Sequence, residues 1–306
     1  MNAIKYCLLT NDVETTSIWH NSLRANTGLK VLNEGIPKLL ELYSNYNIKS
    51  TFFFTGDIAK LYPQIVKMIV PFGHEVGSHG MSHEKKDGFD IMPLYKQVEH
   101  LKESKKILED LSGQEVISFR APALRISNNT VRALTEAGYK IDSSTAPQRF
   151  DFFMSFGGVK KLKWLFTRRV PYFMSFESSF KKGNSEILEI PLNSFLLPYI
   201  GTTMRLFPKL TRVLRRIIDF EYKFHEKPVL FLFHPNEIID ETNEKISYDE
   251  KLSNFLTGKL RRCLKIKNLG KKGLTLYEEQ IKYFFNKEYN FVTLKKYAEQ
   301  FSREIQ

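Results

Sequence analysis

Short apolar runs, each closed by a polar residue or a glycine, alternate with stretches of helical spacing through the first half of the chain. Residues 6–10 (Tyr6-Cys7-Leu8-Leu9-Thr10) read as a buried strand, and 31–46 carries Val31, Ile36, Leu39, Leu40, Leu42 and Tyr43 at the spacing of one helix face. A second strand spans 50–55 and stops at Gly56. Asp57 then fits the N-cap of a helix reaching to residue 70. Residues 75–77 form a short third strand, 93–111 a long amphipathic helix closed by Gly113, and 116–119 a fourth strand. Ser127 opens a helix that Gly138 ends, and 139–141 begins another strand.

The pattern loosens over 147–227, where only 187–192 reads as a strand. It resumes with the strand 229–233, a helix over 274–286, a strand-like 291–294 and a short final helix. Strands alternating with helices predict a parallel sheet, doubly wound or closed as a barrel. Candidate polar residues sit at or just beyond the strand C-termini, where parallel α/β folds build their sites. At 306 residues, without internal repeats, the chain reads as one elaborated domain over 1–306 with an insertion at about 147–227.

Composition narrows the class. A hydrophobic fraction of 42% supports a large core and argues against disorder. Two cysteines, Cys7 and Cys263, make neither a disulfide framework nor a zinc knuckle. The N-terminus reads as a strand rather than a signal peptide, and no stretch has the length of a membrane span, so a cytoplasmic protein is expected. The net charge of +12 points to acidic partners: nucleic acid, anionic headgroups or phosphorylated substrates. It is concentrated, with 13 Lys and Arg against four acids between Arg149 and Arg216.

The chemistry gathers at five places. His79 and His83, four apart in His79-Gly80-Met81-Ser82-His83, would fall on one side of a helical turn and reach one divalent metal. Asp12 and Glu14, two apart on an extended segment, point the same way: one completes a three-ligand set and the other serves as base to a water. Arg120, fixed before Ala121-Pro122, would clamp a carboxylate or form a surface salt bridge. Asp142, at a strand end, would orient an imidazole or build a turn with Ser143 and Ser144. His234 follows five apolar residues and precedes Pro235. It reads as an acid for a leaving amine or as a core histidine.

Taken in order, Thr10-Asn11-Asp12-Val13-Glu14, His79 to His83, Arg120-Ala121-Pro122, Asp142-Ser143-Ser144 and Leu232-Phe233-His234 resemble the five motifs of the polysaccharide deacetylase, or NodB-homology, family. The resemblance covers residues 5–145 and 228–300. It implies a distorted, incomplete (β/α)7-8 barrel carrying the long basic insertion, and a hydrolase that removes acetyl or formyl groups from amino sugars. One divalent metal is implied, zinc first, with iron, cobalt, manganese or nickel as substitutes. His79, His83 and an acid of the first motif would hold it; the other acid would be the base, positioned by Arg120. Asp142 and its loop would position His234, the general acid, and Pro122, Ser143 and Leu232 would contact substrate. The first motif departs from the family's adjacent aspartates, since Val13 stands between the acids, and the roles of Asp12 and Glu14 stay open to exchange.

Residues 160–169 and 206–220 mix cations with aromatic and aliphatic residues, the second at near-helical spacing. Such segments fit either an anionic membrane interface, suiting a polyprenyl-phosphate-linked sugar substrate and a peripheral position on the membrane's inner face, or a helix with a solvated basic face. Two other classes compete with the sugar hydrolase: an amidohydrolase of a small non-sugar amide on the same barrel, and a basic nucleic-acid-binding protein. No helix-turn-helix, zinc-finger or RNA-recognition signature supports the last, so no specific nucleic acid is expected.

Overall fold

The first apolar run is longer than its hydrophobic residues alone suggest. It forms β1 (Tyr6–Val13), buried at every position and flanked by strands on both sides. The computed structural model describes residues 4–148, 164, 167–225, 227–245 and 264–305. After β1 come the hairpin β2 (Thr16–Ser17) and β3 (Ser22–Leu23), α1 (Ala25–Lys30), a π-helical turn over Val31–Gly35 and α2 (Ile36–Asn45). The alternation continues with β4 (Thr51–Phe54), α3 (Gly56–Leu61), α4 (Gln64–Lys67), β5 (Glu75–Ser78), α5 (Leu94–Ser112), β6 (Ser118–Phe119), α6 (Thr130–Glu136) and β7 (Ile141–Asp142). Next are β8 (Tyr172–Ser175), β9 (Ser178–Lys182), β10 (Leu188–Glu189), β11 (Ser194–Phe195), β12 (Leu197–Pro198), α7 (Gly201–Leu206) and α8 (Pro208–His225). β13 (Val229–Phe233), α9 (Lys271–Phe285), β14 (Asn290–Phe291) and α10 (Leu294–Ile305) complete the chain.

The main sheet runs β13-β1-β4-β5-β6-β7-β10-β8-β9, with β14 also on β1. Every pairing from β13 to β10 is parallel, and β8 and β9 add antiparallel strands at the open edge. From β1 to β7, strands that neighbour in space also neighbour in sequence, as in a barrel; a doubly wound sheet would reverse order partway. The result is an incomplete, curled α/β barrel.

Side chains alternate in and out along the buried strands. Cys7, Leu9, Phe52, Phe54, Phe231 and Phe233 join the larger core under the helices, while Leu8, Phe53, Leu230 and Leu232 join the inner cluster. Following the inner set toward the C-terminal ends leads from Leu8 to Asp12 on β1 and from Leu230 to His234 beyond β13. Deeper inside, Glu75 accepts from Thr51, Ser118 and the backbone N–H of Lys295, and so holds the start of α10 against the barrel. Cys7 is buried and unpaired, its thiol pushed well up by burial.

Three local expectations need correction. The helix expected over 57–70 is broken at Pro63 into α3 and α4, because proline removes a donor and restricts the residue before it. Its N-cap is Thr55, which accepts from the Ile58 N–H, not Asp57. The 147–227 segment is far from loose: its described part supplies β8 to β12 and both α7 and α8, and β10 extends the parallel sheet. Of the basic-aromatic segment, residues 160–163 and 165–166 lie outside the described residues.

Candidate active site

β1 delivers Asp12 from the inner face of the barrel, and the chain leaves the strand at Glu14; both carboxylates are almost fully buried. β6 delivers Arg120, wholly buried, whose guanidinium lies 4.5 Å from the centroid of the Phe53 ring. Arg120 donates from Nη1 to Asp12 Oδ1 and to Thr10 Oγ1, both at 2.8 Å, from Nε to the Ser143 carbonyl and from Nη2 to Ser143 Oγ. Every arm of the fork is engaged, so its position is fixed. Burial pushes the Asp12 carboxyl up, but Arg120 first and then His79 and His234 outweigh it, and the group ends below its ordinary value.

His79 and His83 are not on a helical turn. They lie in the loop after β5, where Gly80 takes a left-handed φ of 70° and α3 donates its first N–H groups to the carbonyls of Gly80 and Met81. That backbone, rather than helical spacing, brings the two rings to 5.8 Å between centroids. His79 Nδ1 bonds the Arg120 carbonyl at 2.7 Å, which makes Nδ1 the protonated nitrogen and leaves the Nε2 lone pair facing the site. Burial lowers its pKa despite Asp12 and Glu14, so the ring is held neutral. Glu14 Oε2 stands 3.0 Å from His83 Nε2.

Glu14, His79 and His83 each offer one ligand atom, all within 4.8 Å of one another. Glu14 Oε2 is buried, and its 3.0 Å approach to His83 Nε2 does not have the geometry of a hydrogen bond. A neutral imidazole, a second imidazole and an orphaned carboxylate oxygen facing one point form a donor set that fits a divalent cation.

His234 follows β13, with its Nε2 4.0 Å from Asp12 Oδ2. The carboxylate facing its Nδ1, at 3.6 Å, is Glu237, which the sequence pattern does not single out. Glu237 also accepts the His234 backbone N–H at 3.3 Å, and it is anchored by the buried Arg205, whose Nε lies 2.9 Å from Oε1. Burial alone would depress the imidazole, but the Glu237 hydrogen bond and charge, with Asp12 and Glu14, raise it to about 9. Glu237 is correspondingly pulled down to about 2 by Arg205 and His234, against the effect of its burial. Gly201, at the start of α7, lets this happen: a Cβ there would overlap the Glu237 carboxylate and come within 2.7 Å of Phe233.

Asp142 takes a different place from the one expected. It accepts from Ser144 Oγ and sits opposite Glu189 in the β7–β10 register, with Asp142 Oδ2 and Glu189 Oε2 both unpartnered. Glu189 accepts from the Thr145 N–H and hydroxyl. Burial raises both acids, Asp142 to about 6 and Glu189 well above its ordinary value, and one proton between the two free oxygens would satisfy the pair. Asp142 thus backs the Arg120 side of the site, and Glu237 takes the position beside His234.

The groups open into a cleft of about 270 Å³ lined by Asp12, Glu14, His79, His83 and His234, with apolar walls from Ile18, Leu124, Ile200 and Leu232. Of the residues expected at substrate, Leu232 lines it. Ser143 is wholly buried behind Arg120, and Pro122 lies buried beside Gly80. α7 contributes Thr202, Thr203 and Arg205 to the wall, from the segment expected to be irregular.

The polysaccharide deacetylase family profile matches residues 23–141. A peptidoglycan deacetylase of Helicobacter pylori is 38% identical over 118 residues, 38% of this chain and 39% of that protein. A peptidoglycan-N-acetylglucosamine deacetylase of Bacillus cereus is 32% identical over 108 residues, 35% of this chain and 38% of that protein. The matched stretch thus spans under two-fifths of the length of these relatives. Among solved structures, a Mycobacterium smegmatis protein described as a polysaccharide deacetylase superposes with a TM-score of 0.65 at 18% identity, over 99% of this chain and 93% of the other. That likeness is one of fold.

Proposed function

We propose that this chain, whose residues 23–141 match the polysaccharide deacetylase profile, is a metal-dependent hydrolase that removes an acetyl or formyl group from the nitrogen of an amino sugar. The observation that carries the reading is the convergence, in one cleft, of an Arg-held carboxylate, a three-donor cation set and a carboxylate-backed histidine. The names of the relatives support an amino-sugar glycan as substrate. We extend this to a surface-glycan precursor, including one carried on a polyprenyl phosphate.

Glu14, His79 and His83 would hold the cation, with zinc the first candidate for a set of two imidazoles and one carboxylate. Once bound, the cation would polarise the acyl carbonyl and lower the pKa of a water. Asp12, locked by Arg120 through Oδ1, keeps Oδ2 toward His79 and His234 and takes the proton of the attacking water there. His234 Nε2 delivers a proton to the sugar nitrogen as the C–N bond breaks, and Glu237 steadies the ring through Nδ1. The products are the free amine and the carboxylic acid. The apolar cleft wall around Leu232 and Ile200 suits the acyl methyl and the faces of a sugar ring.

The test is metal analysis of the purified protein together with release of acetate or formate from N-acylated peptidoglycan and chitooligosaccharides. About one equivalent of metal with acyl release supports the reading. Acyl release that persists in metal-free protein, or hydrolysis confined to small cyclic amides, overturns it.

A further inference from the structure

α8 (Pro208–His225) has two apolar faces. Thr211, Leu214, Ile218 and Tyr222 form the buried one, against the barrel. Leu210, Val213, Phe220 and Phe224 form the other: at i, i+3, i+10 and i+14 they make one stripe, and all four are 42–66% exposed. A stripe carrying two largely exposed phenylalanines on an otherwise well-packed helix calls for a partner.

A second element adds to this surface. The β11–β12 hairpin turns at Leu196, which takes a left-handed φ of 61° and is 56% exposed, beside Phe195 at 39%. Arg169 ties the hairpin to the helix: its Nη1 lies 2.7 Å from Glu221 Oε1 on α8, and its guanidinium lies 5.9 Å from the Phe195 ring centroid. Two elements thus present large apolar side chains on neighbouring ground.

The charges along the stripe have one sign. Lys209, Arg216 and Lys223 are exposed on its flank, with Lys223 Nζ 5.7 Å from the Phe220 ring centroid, and none has an ion pair among the described residues. The two acids of α8 are neutralised by other elements or the following loop: Asp219 by Lys287, and Glu221 by Arg169 and Lys227. The exposed face is therefore apolar and cationic, the complement of an anionic bilayer, into which aromatic and aliphatic side chains insert while lysine and arginine meet the headgroups. Among the described residues no helix is long and apolar enough to cross a membrane, so the contact would lie in the interface.

We propose that α8 and the β11–β12 tip form a membrane-docking face that seats this protein on an anionic lipid surface. The face begins beside the cleft: α7, which lines the cleft, ends at Leu206, and α8 starts at Pro208. Docking would hold the cleft near the bilayer. The proposal does not depend on the hydrolase reading, since it concerns a surface the chemistry does not use.

The test is co-sedimentation of the full chain with vesicles of equal parts phosphatidylglycerol and phosphatidylcholine, and with pure phosphatidylcholine. The wild type is expected on the anionic vesicles, with binding that weakens in high salt. Phe220→Ser/Phe224→Ser and, separately, Lys209→Glu/Arg216→Glu/Lys223→Glu should each lower the partition constant by about tenfold or more, with unchanged melting temperature because every altered side chain is exposed. Absence of wild-type binding overturns the proposal. So does binding that both variants retain, which would assign it to another segment, and so does a dimer that Phe220→Ser/Phe224→Ser dissociates, which would make a second copy the occupant.

Discussion

Arg120 Nη1 and Asp12 Oδ1 meet at 2.8 Å with both side chains shut away from solvent, and the second Asp12 oxygen is left toward His79 and His234. In the proposed mechanism the pair divides one carboxylate between an anchored oxygen and a working one. Asp12→Asn keeps the shape and removes the acceptor charge. It should cut kcat by about 10²- to 10⁴-fold, the usual worth of a general base. Metal content, read by mass spectrometry, should stay at the wild-type level if Glu14, His79 and His83 are the cation set proposed above. Loss of metal in Asp12→Asn would exchange the roles of the two acids.

Arg120→Met tests the same pair from its other side. A buried carboxylate stripped of its partner typically costs about 3–5 kcal/mol. The variant should therefore melt well below wild type in thermal unfolding, whereas removing an arginine from an ordinary surface position would not. An unchanged melting temperature would mean that Asp12 finds another partner.

His234 stands outside the cation set and should be separable from it. His234→Ala is expected to lower turnover by about 10²-fold or more while metal content is retained. Equal loss of both would remove it as the acid. Glu237 faces His234 Nδ1 and, in the proposed mechanism, acts through it, so Glu237→Gln should lower kcat with little change in KM. Gly201→Ala, which drives a methyl group into the Glu237 carboxylate, should reproduce that kcat defect without replacing any titratable residue. A Gly201→Ala enzyme with wild-type kcat would show that the Glu237 position is irrelevant to turnover.

Much of this arrangement is legible in the residues. The barrel strands are continuous apolar runs, and period-2 counting from Leu8 or Leu230 arrives at Asp12 and His234 on the inner face. The remaining features have no periodic signature. Glu237 and Arg205 are charged residues that become buried only because each neutralises the other, and a lone charge in sequence reads as surface. The i, i+4 spacing of His79 and His83 suggested a helix, but Gly80 takes a conformation no helix contains, and the loop is shaped by N–H groups from α3, some two dozen residues earlier. The Asp142–Glu189 pairing is hidden for a related reason: it depends on a register that only the folded sheet sets. The α8 helix was visible as a basic amphipathic stretch, yet which of its two apolar faces packs inward is decided by the barrel.

The cation set predicts a clean loss. His79→Ala/His83→Ala should bring metal content to background and abolish acyl release together. Glu14→Gln, which keeps size but removes the charge of the oxygen beside His83, should weaken zinc affinity by about 10-fold or more in competition with a chelator. Full affinity in Glu14→Gln would exclude that oxygen as a ligand.

The Asp142–Glu189 pair makes stability depend on pH in a direction opposite to most carboxylates. Both groups are raised in the folded state, chiefly by burial, with Asp142 at about 6. Below the ordinary carboxylate range, folded and unfolded chains both hold the protons. As pH rises from about 4 toward 6, the unfolded chain releases them while the folded pair retains at least one, so the folded state binds more protons and loses stability over that interval. Glu189→Gln supplies an amide donor to Asp142 Oδ2 in place of the shared proton and removes the conflict. The variant should melt above wild type at pH 7 and lose that advantage by pH 4, a relative swing of order 2 kcal/mol. Melting curves of both proteins across this range decide it: parallel curves would mean that the two carboxyls do not share a proton, and that Asp142 is held ionised by Arg120 instead.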